Sequence, residues 1–173
     1  MSIRHTLTRL PWWVLCLLFS GPLWASVACT PIHWVDGDTF DYRPSHGAKV
    51  RVRVMGYDAP ERGQPWSRVA QDRLQALTQA GARCECKSRD RYGRSLCHVF
   101  TARGEPLAPL MLGEGLGCID PRYEAQERPA DRLAARSAQA QARQKRLGLW
   151  SETAPLCGFE YRRLRRQAHE SRP

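Results

Sequence analysis

Apolar and polar positions alternate with period two in several short stretches and with a helical period in others. Lys49–Val54 is the clearest strand: Val50, Val52 and Val54 point one way, Lys49, Arg51 and Arg53 the other. Ile32–Val35 and Thr39–Arg43 flank Asp36-Gly37-Asp38, which reads as a tight turn between two strands. Ala82–Lys87 and Ser95–Thr101 read as a hairpin across the charged loop Ser88–Arg94. Ala70, Leu74 and Leu77 mark an amphipathic helix from about Trp66 to Ala80, stopped by Gly81. Leu107–Gly113 is a short helix and Gly115–Ile119 an extended piece. Pro129 opens a last helix that runs to Leu147, with Leu133, Ala134, Ser137, Ala138 and Leu147 facing inward and Trp150 as an apolar anchor. Five strands with three helices predict a small α+β domain, a barrel of the oligonucleotide-binding type with helices outside.

Two segments fall outside this pattern. Met1–Arg9 carries Arg4 and Arg9 and no acid, an apolar run follows over Leu10–Phe19, and Ser26-Val27-Ala28 offers small residues at a cleavage site. Residues 1–28 therefore read as a secretory signal peptide. A retained anchor over Leu10–Ala28 is the competing reading, opposed by the helix-breaking Gly21-Pro22, and lipidation at Cys29 ranks third. At the other end, 153–173 reads as a basic, solvated tail with Arg162, Arg163, Arg165 and Arg166, leaving 29–152 as the folded domain.

The length of 173 residues suits one core, and 42% apolar with 25% charged residues excludes a disordered or fibrous chain. Lys and Arg number 27 against 17 acids, a formal +10, and 24 of those cations are Arg. Removing Arg4 and Arg9 with the leader leaves +8. The planar guanidinium suits bidentate phosphate contact, so a polyanionic partner competes with a merely solvated cationic surface.

Loss of the leader also leaves six cysteines, Cys29, Cys84, Cys86, Cys97, Cys118 and Cys157. An even number in an exported chain suggests disulfides. The hairpin brings Cys97 near Cys84 or Cys86, which share a face at period two, and one bridge is expected there. A zinc site over Cys84, Cys86, Cys97 and His98 is the alternative, weakened by the lack of any CxxC pair.

Three segments carry candidate chemistry: Val35–Thr39 with its Asp-Gly-Asp, Arg53–Glu61 with its Asp-Ala-Pro-Glu, and Asp90–Arg94 with its Tyr-Gly-Arg. Each alone is an ordinary turn, strand end or loop tip. In this order and spacing, with the later Gly115-Leu116 and Leu147-Gly148-Leu149-Trp150, they resemble the staphylococcal nuclease family over about Ile32 to Glu152. The resemblance implies the same α+β barrel and one calcium ion held by Asp38, Asp58 and the backbone carbonyl of Ala59. It implies catalysis by Arg53, Glu61 and Arg94, with Tyr92 and, more loosely, Tyr123 contacting substrate. Ala59 departs from the Thr that well-studied members carry, a change that keeps the backbone carbonyl.

The chemistry fits these residue types. Hard oxygen ligands suit calcium, a carboxylate can activate or orient water, and guanidinium forks stabilise charge on phosphate oxygens. The resemblance further implies a sugar-nonspecific enzyme that cuts DNA and RNA and leaves 3′-phosphates. The expected protein is monomeric, secreted or periplasmic, and free of the membrane once the leader is removed. A catalytically idle barrel binding nucleic acid or protein is the alternative; retention of all five charged positions favours the enzyme.

Overall fold

A computed structural model describes residues 25–171. Six strands form one mixed sheet in the order β1-β5-β6-β4-β3-β2: β1 (Ser26–Ala28), β2 (Pro31–Trp34), β3 (Thr39–Tyr42), β4 (Val50–Val54), β5 (Ala82–Arg89) and β6 (Ser95–Thr101). Every pairing is antiparallel except β4 with β6. The five expected strands are present, and the sheet curls into a half-barrel of the expected α+β, oligonucleotide-binding type. β1 is a sixth, exposed strand built from Ser26-Val27-Ala28, and residues 1–24, the bulk of the segment expected as a signal peptide, lie outside the described residues.

The alternation on β4 sorts its side chains as its sequence requires. Val52 and Val54 are buried with Phe40, Leu74, Leu107, Met111 and Leu112, while Arg51 stays exposed. α1 (Ser67–Thr78) adds Ala70 and Leu74 to this core, and α2 (Leu107–Gly113) covers it from the other end.

α4 (Pro129–Gln144) follows a short α3 (Pro121–Glu124) and corrects the expected inward face. Leu133 is 71% exposed and Ala134 and Ser137 are also exposed, whereas Ala135 and Ala142 are buried. The stripe that faces the core is Ala135, Ala138 and Ala142, whose small side chains let the backbone approach α2 near Gly113.

The stretch expected as a basic, solvated tail is largely exposed, but it is helical. Residues Gly158–Glu170 form α5, opened by a capping box in which Glu160 accepts from the Cys157 amide. The fold is stapled by Cys29–Cys84, Cys86–Cys97 and Cys118–Cys157. Cys97 thus takes Cys86, directly opposite it in the hairpin register, and these pairings displace the zinc alternative. Among the described residues no helix is long and apolar enough to cross a membrane.

Candidate active site

The Asp36–Asp38 turn closes on itself: the Asp38 amide donates to Asp36 Oδ1 at 3.0 Å and the Val35 amide to the Thr39 carbonyl at 2.9 Å. Gly37 is required by close approach, since a β-carbon there would lie 2.8 Å from that of Ala59 and 2.7 Å from that of Ala70. The Val54 amide donates to the Asp38 carbonyl, fixing the turn to the end of β4. From there the chain turns at Gly56 into the Asp58 segment, whose backbone is paired both ways with Cys118 at 2.8 and 2.9 Å.

These backbone ties bring the acids together around one cation. Arg53 lies 2.9 Å from Asp38 Oδ2 through Nη1 and 2.8 Å from Asp58 Oδ1 through Nη2. Its Nη1 also donates to the carbonyls of Val54 and Tyr57. The Ala59 amide donates to Asp38 Oδ2 at 2.9 Å, and Thr39 Oγ1 to Asp38 Oδ1 at 2.8 Å. Asp58 Oδ2 is buried with no hydrogen-bond partner, and the Ala59 carbonyl lies on the same side, both against Gly158 of α5.

Crowding of carboxylates in a poorly hydrated place shifts their titration. Burial, reinforced by the charge of Asp38, pushes the Asp58 carboxyl up, against the opposing pull of Arg53 and Arg162. Burial and Asp38 together push Asp36 up to about 7. Burial works against charge on Arg53 as well, yet Asp38 and Asp58 keep its pKa above the ordinary value.

Glu61 stands three residues beyond Asp58, with its amide held by Gln64 Oε1 at 2.6 Å. Its carboxylate pairs with Arg162 Nη1, and Arg162 Nη2 donates to Asp58 Oδ1 at 2.9 Å. Arg162 is therefore part of the site, although its segment reads as tail. The signal that points to it is Cys157: a sixth cysteine that must pair draws the chain back onto the fold.

Among the described residues no hydrogen bond or ion pair joins the remaining candidates to this cluster. Arg94 precedes β6, where Ser95 pairs with Val52 beside Arg53, but its Nε donates to Asp90 Oδ2 at 2.7 Å. Tyr92 is 68% exposed, with the guanidinium groups of Arg91 and Arg94 over its ring. Tyr123 is exposed on α3 beneath Arg122, which is itself paired with Asp120.

A family model described as staphylococcal nuclease homologue matches residues 51–152. The chain belongs to that family. Among its relatives, it is 31% identical over 161 residues to a micrococcal nuclease of Shigella flexneri, covering 88% of this chain and 90% of that one. An uncharacterized endonuclease of Escherichia coli O157:H7 is 32% identical over 146 residues, 80% of this chain and 88% of its own. A staphylococcal-like nuclease of Arabidopsis thaliana matches 68% of this chain at 32% identity, over 35% of its own length. As a member of this family the chain is a nuclease, a hydrolase of phosphodiester bonds.

Proposed function

We propose that this family member is an exported, calcium-dependent, sugar-nonspecific nuclease that hydrolyses DNA and RNA and leaves 3′-phosphates. The observation that carries the reading is the convergence of Asp38 and Asp58 on Arg53, with the Ala59 carbonyl beside Asp58 and Glu61 sharing Arg162 with Asp58. The donor set suits a hard cation: two carboxylates and a carbonyl, one carboxylate oxygen of which is buried without a hydrogen-bond partner. Asp38, Asp58 and Ala59 would hold the ion, which would supply charge neutralisation at the phosphate and Lewis acidity there.

The rest is the work of the chain's own side chains. Glu61 takes or steers the proton of the attacking water. Arg53, held on two sides by acids, and Arg94, held by Asp90, present guanidinium groups to the phosphate oxygens. Tyr92 offers an exposed ring next to Arg94, and Tyr123 a second one on α3. Three disulfides fit an oxidising compartment, the periplasm or the cell exterior, reached through cleavage of residues 1–28. The enzyme works as a monomer, free of the membrane.

Glu61→Gln tests the assignment on plasmid DNA with calcium and with a chelator. Turnover should fall by about 10²–10⁴ while DNA binding persists. Asp38→Asn and Asp58→Asn should lose activity that added calcium partly restores. A Glu61→Gln protein that cuts as fast as wild type in saturating calcium would take Glu61 out of the reaction and overturn this assignment of the site.

A further inference from the structure

α5 begins six residues after the stretch that the family model matches, and it ends up on the acids. Three ties seat its first turn. Cys157 is bridged to Cys118, whose backbone pairs with Asp58 in both directions. Gln64 Nε2 donates to the Leu156 carbonyl at 3.1 Å. Gly158 lies so close that a β-carbon on it would stand 2.3 Å from the Ala59 carbonyl oxygen and 2.6 Å from Asp58 Oδ2. Arg162, one turn further on, then places its guanidinium between Asp58 and Glu61.

That guanidinium uses groups the reaction needs. Its Nη2 takes a lone pair of Asp58 Oδ1, an oxygen that also serves Arg53, and its Nη1 takes Glu61 Oε1. A carboxylate oxygen that accepts from arginine has that lone pair occupied and turned away from water or a metal ion. A divalent cation on Asp58 and the Ala59 carbonyl would stand a few ångströms from this guanidinium, and like charges at that range repel strongly in a partly dehydrated site. Arg162 and the cation therefore bind Asp58 at each other's expense. The side chain is about one-third exposed, so it can swing into solvent without opening the core.

We propose that Arg162 is a resident competitor for the cation: it neutralises Asp58 and Glu61 when no ion is bound, and releases both when the ion arrives. α5 thereby sets the cation concentration at which Glu61 becomes free to act on water. The proposal rests on the reading of Asp38, Asp58 and Ala59 as the cation site, and it adds a residue outside the matched family domain that tunes that site. Coupling between two ligands is reciprocal, so the ion must loosen Arg162 by the factor by which Arg162 weakens the ion.

Calcium titrated calorimetrically into the full chain, without nucleic acid, tests this. Arg162→Ala and Arg162→Gln should bind calcium about 5- to 150-fold more tightly than wild type, the usual span of such couplings. Arg162→Lys, which keeps the charge, should stay near wild type and shows that the helix tolerates substitution. Amide hydrogen exchange along α5 of the wild type should speed up when calcium is added. Equal or weaker calcium binding by both neutral variants overturns the proposal while leaving the cation site in place. An absence of calcium binding in wild type and variants alike overturns the cation site and the proposal together.

Discussion

Tyr57 donates its phenolic hydrogen to the Gly37 carbonyl across 2.7 Å, tying the segment that carries Asp58 to the turn that carries Asp38. The phenol is buried, and burial with the charge of Asp38 raises its pKa well above the ordinary tyrosine value. It therefore stays a donor throughout the working pH range.

Tyr57→Phe keeps the ring and removes that donor, leaving a buried carbonyl without its partner. The cost should be about 1–3 kcal/mol of unfolding free energy, read from urea denaturation. Calcium affinity should fall in parallel, because the segments that carry Asp38 and Asp58 lose one of the ties between them, beside Arg53 and the Ala59 amide. A variant with unchanged stability would mean that the turn is held by its backbone bonds alone.

Asp90 accepts from the amides of Tyr92 and Arg94 and from Arg94 Nε, so one carboxylate shapes the loop and aims the guanidinium. Asp90→Ala should lower the turnover of DNA by up to about 10²-fold through misplacement, with little change in thermal midpoint. Arg94→Lys should cost at least as much, since an ammonium cannot reproduce the fork.

The fully buried Asp41 gives the protein an acid-sensitive joint. Arg51 holds it through two bonds of 2.7 and 3.0 Å and Lys49 lies 3.0 Å away, which keeps its carboxyl well below the usual carboxylate range. A depressed folded pKa means stability that is present above the unfolded value near 3.9 and lost as pH falls below it. Asp41→Asn should melt lower than wild type at pH 7, and its thermal midpoint should fall less between pH 4 and pH 2. Parallel curves for the two proteins would assign the acid sensitivity to other groups.

Gly148 meets Gly115 backbone to backbone: a β-carbon at 148 would stand 2.3 Å from the Gly115 carbonyl oxygen, and φ there is +54°. The Leu149 amide donates to that same carbonyl at 2.9 Å. Gly148→Ala should therefore destabilise by at least about 1–3 kcal/mol from backbone strain, measured by thermal or urea unfolding.

That glycine contact also shows what a sequence can reveal. Gly115-Leu116 and Leu147–Trp150 stand apart in the chain, yet in the fold they are one piece of structure. The valines of β4 and the Cys97 bridge follow from period two, a local signal. α4 misleads because Leu133 is the large apolar residue there, while close packing selects the alanines. α5 has almost no apolar face, and among its residues only Gly158 is buried. It is held by a disulfide across 39 residues and an ion pair across 104, and no local pattern encodes either.

The three-residue β1 has a bearing on solubility. Cleavage after Ala28 would strip it from β5 and make β5 the rim of the sheet, a row of unpaired amides and carbonyls able to recruit a second molecule. β5 already carries what discourages such recruitment. Arg83, Glu85, Lys87 and Arg89 alternate along it, and its register slips between Cys86 and Ser88. Charges and a bulge on a rim strand oppose strand exchange between copies, so loss of β1 would not by itself make the sheet adhesive.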